Sequence, residues 1–145
     1  MISNKCNYAL RALLELAKRE GAGPATIVDI AAAQEIPSRF LEAILRQLKQ
    51  AGLTESVRGK KGGYVLARPA REVPVGEVIR LIEGPLFDTA GTNGVDQRSA
   101  KPDVFRDLWQ EAAAALDAVY DAVTLADLAE KERVLALQYV PDYSI

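Results

Sequence analysis

Between Thr26 and Ala67 the chain lays down two short helical patterns separated by a three-residue break, then two strand-like runs around a glycine-rich turn. Few folds accommodate that order. Thr26 with Asp29 three residues on forms a capping-box pattern that opens a helix over Ile27–Gln34. Glu35-Ile36-Pro37 breaks it, and residues 38–51 resume a helical period that Gly52 ends. On a helical projection Phe40, Leu41, Ile44, Leu45 and Leu48 share one side and are expected in the core. Arg39, Glu42, Ala43, Arg46 and Gln50 share the other, which is left free to bind. Residues 53–57 and 64–67 then read as strands joined by Arg58-Gly59-Lys60-Lys61-Gly62-Gly63, a hairpin signal.

The flanking segments follow the same logic. Residues 4–20 carry Leu10, Leu13, Leu14 and Ala17 at helical spacing, with Gly21 as a stop. Pro69 and Pro74 frame a loop, and Val75–Glu83 is a helix closed by Gly84-Pro85. Residues 85–101 have no period and read as a long loop, a candidate signal-sensing or disordered segment. Pro102 opens the longest stripe in the chain: Phe105, Leu108, Trp109, Ala112, Leu116, Val119, Tyr120 and Val123. Some twenty-two residues of helix would reach ~33 Å. An apolar stripe of that length is costly in water, so dimerisation through it is expected, shared with packing inside the chain. Thr124 and Asp127 cap a last helix, Leu125–Gln138. The expected architecture is mostly α with a small β-hairpin. It divides into a winged helix-turn-helix domain at 1–84, the loop at 85–101, and dimerisation helices at 102–145.

Charge is unevenly distributed over the 145 residues. Residues 1–71 hold 12 Lys/Arg against 6 Asp/Glu, a net of +6, and residues 72–145 hold 6 against 14, a net of −8, giving the whole-chain −2. Attraction to phosphate depends on a local basic surface, so a mildly acidic chain with a basic half remains compatible with nucleic acid. The first 20 residues carry Lys5, Arg11, Glu15, Lys18 and Arg19 where a signal peptide would be apolar, and a cytoplasmic location is expected. A single cysteine, Cys6, allows no internal disulfide, and histidine is absent. With no nucleophile and base pair and no metal-ligand set, an enzyme is not expected.

Helix, break, helix and basic hairpin is the order of a winged helix-turn-helix, in which the second helix of the motif enters the major groove. Ser38, Arg39, Glu42 and Arg46 are the candidate DNA-binding residues on that helix. Arg39 and Arg46 suit guanine edges or phosphates, and Glu42 a cytosine amino group. At the hairpin tip Arg58 suits the minor groove and Lys60 and Lys61 suit phosphates, with Tyr64 beside them.

The same residues resemble a known family, the Rrf-two winged-helix transcription regulators. The resemblance rests on Tyr8-Ala9-Leu10, Ile30-Ala31, Ile36-Pro37, Phe40-Leu41-Glu42, Ala51-Gly52-Leu53 and Val57-Arg58-Gly59 with Gly62-Gly63-Tyr64 and Leu66. It continues through Val75-Gly76-Glu77-Val78-Ile79, Phe105-Arg106-Asp107-Leu108-Trp109 and Thr124-Leu125-Ala126-Asp127-Leu128. It implies a homodimer, joined through a long helix that crosses the partner subunit, on the double-stranded DNA of a pseudo-palindromic operator. The expected function is repression. The family's cluster-binding members place three cysteines in the loop corresponding to 85–101, with a further ligand just before the long helix. Here that stretch has no cysteine and no histidine and offers only hard or weak ligands such as Asp88, Asp96 and Asp103. Thiolates hold iron in such clusters, so no iron–sulfur cluster and no other cofactor or metal site is expected. Two alternatives remain open: a winged helix used for protein contact, and a thiol or small-ligand sensor acting through Cys6, a candidate redox residue, or through the 85–101 loop.

Overall fold

The computed structural model describes residues 2–85 and 102–139. Six α-helices, one 3-10 turn and a two-stranded sheet follow in the order α1 (Asn4–Lys18), α2 (Ile27–Gln34), α3 (Ser38–Gln50), β1 (Thr54–Val57), β2 (Gly63–Leu66), the 3-10 turn (Ala70–Glu72), α4 (Val75–Glu83), α5 (Val104–Asp121) and α6 (Leu125–Gln138). The loop expected at 85–101 lies, apart from Pro85, outside the described residues, as does the tail after Tyr139.

Local chemistry sets most boundaries. Ser3 caps α1 by accepting from the Cys6 N–H. Thr26 and Asp29 exchange side-chain and backbone hydrogen bonds at 3.1 and 3.0 Å, so the expected capping box forms and fixes the entry to α2. Thr124 and Asp127 do the same for α6 at 3.1 and 2.9 Å. Glu35 ends α2 in the left-handed region at φ 54° and donates to the Ala31 carbonyl, turning the chain towards α3.

One main core joins nearly every element. Leu13 of α1, Ile30 of α2, Leu41, Leu45 and Leu48 of α3, Leu53, Val73, Val78 and Leu125 all lie in it, fully or almost fully buried. Each such aliphatic side chain contributes about 1.5–3 kcal/mol on burial. Leu125 belongs to α6, whose Ala126 and Ala129 also pack here, and Lys18 of α1 reaches Glu132 of α6 at 2.8 Å. The boundary expected at 102 thus separates segments that the fold packs together. A smaller cluster of Cys6, Val75 and Ile79 takes in Tyr120, Val123 and Leu128. Tyr120 and Val123, expected at a dimer contact, are half-buried against this cluster within their own chain, where the Val75 N–H donates to the Val123 carbonyl at 2.8 Å and joins the end of α5 to α4.

The long helix is shorter than its stripe suggested, 18 residues from Val104 to Asp121. It is moored at its C-terminal end, where Arg80 of α4 meets Asp117 at 3.0 Å and Asp121 at 2.8 Å. Phe105, Trp109 and Val119 are 58%, 54% and 62% exposed, and Leu108, Ala112 and Leu116 are exposed with them.

Candidate nucleic-acid interface

α3 carries two chemistries on opposite sides. Leu41, Ile44, Leu45 and Leu48 are buried, while Ser38, Arg39, Glu42, Ala43, Arg46, Lys49 and Gln50 are exposed. Pro37 precedes the helix and supplies no side-chain cap; the Phe40 N–H donates to the Pro37 carbonyl at 3.1 Å, and the Ser38 and Arg39 N–H groups remain for solvent or an anion. Glu42 and Arg46, one turn apart, pair at 3.4 Å with both side chains two-thirds exposed. The two residues expected to read bases separately therefore hold each other in the unbound protein. A pair this exposed is worth only about 0.3–0.5 kcal/mol, and base edges can compete for it.

Phe40 departs from its expected place in the core: it is 43% exposed. At 100° per residue it sits about 90° from the centre of the buried arc, at the flank, and its hydrophobicity masked that angle. Its ring lies 6.0 Å from that of Tyr8, and the Arg39 guanidinium carbon sits 4.6 Å above it. Cation–π contact thus holds the Arg39 head beside the helix.

The hairpin is fixed relative to α3 by several short-range bonds. Leu53 donates to the Leu48 carbonyl at 2.9 Å, and Lys49 donates to the Ser56 hydroxyl at 2.7 Å. Lys49, not singled out from the sequence, adds a cation where α3 meets β1. The strands pair antiparallel from Thr54 opposite Leu66 to Val57 opposite Gly63. Arg58, Lys60 and Lys61 stand exposed at the tip between them. Of nine ion pairs among the described residues, none uses Arg39, Lys49, Arg58, Lys60 or Lys61. These cations keep their full charge for an external anion.

Gly63, at φ 151°, passes so close to the Ala25 carbonyl that a Cβ there would collide with it. That approach lets Tyr64 exchange backbone hydrogen bonds with Ala25 at 2.7 and 3.0 Å, tying β2 to the lead-in of α2. The Tyr64 side chain is half-buried against the main core. Expected beside DNA, Tyr64 is also an anchor of the wing, through its backbone bridge to Ala25 and its packing on the core.

Cys6 is fully buried against Val75 and Ile79. Burial, with the Glu83 carboxylate adding to it, pushes its thiol up to about 11. The protonated form dominates at neutral pH, the opposite of what a reactive thiolate requires. Among the described residues no three His, Cys, Asp or Glu side chains gather as a metal site, and no helix is long and apolar enough to cross a membrane.

Comparison with known proteins agrees with this layout. The family described as "Rrf2: Iron-dependent Transcriptional regulator" matches residues 2–131. The transcriptional regulator CymR of Bacillus subtilis is 38% identical over 128 residues, 88% of each chain. IscR of Escherichia coli, also described as a helix-turn-helix regulator, is 31% identical over 134 residues, 92% of this chain and 83% of that one. Among solved structures, T. potens IscR superposes with a TM-score of 0.79 at 32% identity, covering 99% of this chain and 94% of that one. The structure of B. subtilis CymR, described as the global cysteine regulator, gives 0.77 at 35% identity, covering 90% and 97%. With a motif helix exposed on its polar face, a basic wing and matches that span most of the sequence, the chain belongs to the Rrf2 family and is a DNA-binding helix-turn-helix transcriptional regulator, not an enzyme.

Proposed function

We propose that the protein acts as a homodimer on a pseudo-palindromic operator and represses from it, with α3 in the major groove and the wing tip on the flanking backbone. The observation that carries this is the pairing of two unsatisfied surfaces on one chain: unpaired cations on α3 and the wing, and the uncovered apolar stripe of α5. Arg39, Glu42 and Arg46 read bases, Ser38 and the open N-terminus of α3 hold phosphate, and Arg58, Lys60 and Lys61 grip the adjacent duplex. Phe105, Leu108, Trp109, Ala112, Leu116 and Val119 of α5 meet their counterparts in the partner, placing half-sites about one helical turn, ~34 Å, apart.

Fluorescence anisotropy with the protein's own upstream duplex tests the DNA half of this reading. Affinity should fall steeply with salt, and a duplex affinity insensitive to salt would sink it. Light scattering tests the other half, and a stable monomer at micromolar concentration would remove the dimer.

The family's description as iron-dependent does not carry over through thiolate ligation. The whole chain holds one cysteine and no histidine, and that cysteine is enclosed by apolar side chains with its thiol protonated. These residues do not fit an iron–sulfur cluster of the usual kind, and the proposed regulator works without one. Anaerobically purified protein should be colourless; visible charge-transfer absorption with stoichiometric iron and sulfide would overturn this.

A further inference from the structure

An aromatic residue left in water at the third position of the reading helix calls for a reason, and Phe40 does not stand alone. Tyr8 of α1 presents its ring nearly parallel to it, the planes 17° apart. With Ala43 and Ile44 they floor a cleft of about 310 Å³ between α1 and α3. That volume is at the lower end of small-molecule pockets. Asn4, Lys5 and Arg39 complete the lining, the Arg39 guanidinium lying over the Phe40 ring, so two cations and no carboxylate line the cleft. None of the ion pairs among the described residues uses either cation. The wall is held in place before any ligand arrives, because Ser3 both caps α1 and bonds through its N–H to the Glu83 carboxylate at 3.0 Å. An aromatic lining with two cations that no carboxylate neutralises selects a planar aromatic body bearing one acidic group.

We propose that the cleft between α1 and α3 binds a small aromatic anion whose acid group engages Lys5 and Arg39, so that occupancy and DNA binding oppose each other. The opposition rests on the reading of α3 as the DNA-contacting helix. Arg39 is the shared element: a guanidinium paired to a ligand carboxylate is lost to the duplex.

Calorimetric titration of the full chain with naphthoate, and with uncharged naphthol as control, tests the site. Naphthoate should bind saturably, one per chain. Lys5→Gln with Arg39→Gln should weaken naphthoate about tenfold and naphthol by far less, and Phe40→Ala should weaken both. Anisotropy with the upstream duplex should show affinity falling about fivefold at saturating naphthoate, an effect absent in Tyr8→Leu. No saturable heat, equal losses for naphthoate and naphthol, or binding that emerges only when Trp109→Glu breaks the dimer would each overturn the site. The last result would identify the cleft's occupant as the second copy. Duplex affinity unchanged at saturation would overturn the opposition. A protein that takes up naphthoate but binds no duplex in either state removes the opposition through its premise, with the calorimetric arm intact.

Discussion

The winged-helix core and the α5 helix both carry a stripe of apolar side chains and dispose of it in opposite ways. Around α3 the aliphatic residues face inward into a core shared with α1, α2, α4 and α6, and of the charges left outside only Glu42 and Arg46 pair, with each other. Along α5 the arrangement reverses: charges at Asp117 and Asp121 pair with Arg80, while Phe105, Leu108, Trp109, Leu116 and Val119 face solvent. A surface of unpaired cations is stable in water and waits for an anion. A surface of aromatic and aliphatic side chains is not stable there and waits for a second protein surface. One chain thus offers two complementary demands, and the assembly proposed above meets both.

The largest test of this contrast is a core truncation. Leu45→Ala, at a fully buried position, should cost about 2–5 kcal/mol in denaturant unfolding of the whole protein. Trp109→Ala should cost about 2–4 kcal/mol in dimer association by sedimentation equilibrium, while leaving the unfolding of the protomer within ~0.5 kcal/mol. If Trp109→Ala unfolded the protomer as Leu45→Ala does, α5 would belong to the core and the contrast would be lost.

Smaller effects sharpen the charged side. Arg58→Ala should weaken duplex binding by about 1–3 kcal/mol and reduce the slope of log affinity against log salt by about one. An unchanged slope would place the wing tip off the DNA.

Glu15 provides a pH readout from inside the core. Burial raises its pKa, but hydrogen bonds from Arg19 at 2.8 Å and Gln34 at 2.9 Å, with Lys18 nearby, outweigh it and hold the carboxyl below its ordinary value. A carboxyl depressed in the folded state adds stability above its unfolded pKa and loses it as pH falls. Wild type should therefore melt above Glu15→Gln at neutral pH, and the gap should close as pH drops through the carboxylate range. A gap independent of pH would remove the charge from the account. The smallest effect is expected for Glu42 with Arg46, whose double-mutant cycle in free protein should give about 0.3–0.5 kcal/mol.

Much of this fold was legible before the structure. The spans of α2, α4 and α6 follow from capping residues, apolar periods and glycine or proline stops. The exposed face of α3 follows from its projection, apart from Phe40, whose flank position the hydrophobic pattern hid. The candidate site was legible in residue type more than in arrangement. Arg58, Lys60 and Lys61 are exposed as expected, whereas the sequence did not show that Tyr64 is half-buried against the core or that Glu42 meets Arg46. The burial of Glu15 was not legible, since no local pattern announces that Gln34, nineteen residues on, will reach it.

The winged-helix order, the two-faced motif helix, the basic wing and the absence of thiolate ligands for a cluster can all be read from the residues alone. Each depends on residue identity and on spacing within a few positions. Packing between distant segments set the rest: α6 closes the winged-helix core, Tyr120 and Val123 pack beside α4, Cys6 is buried, and Tyr8 lies beside Phe40. Those outcomes depend on which distant surfaces come together, and local periodicity marks a face as apolar without naming what will cover it.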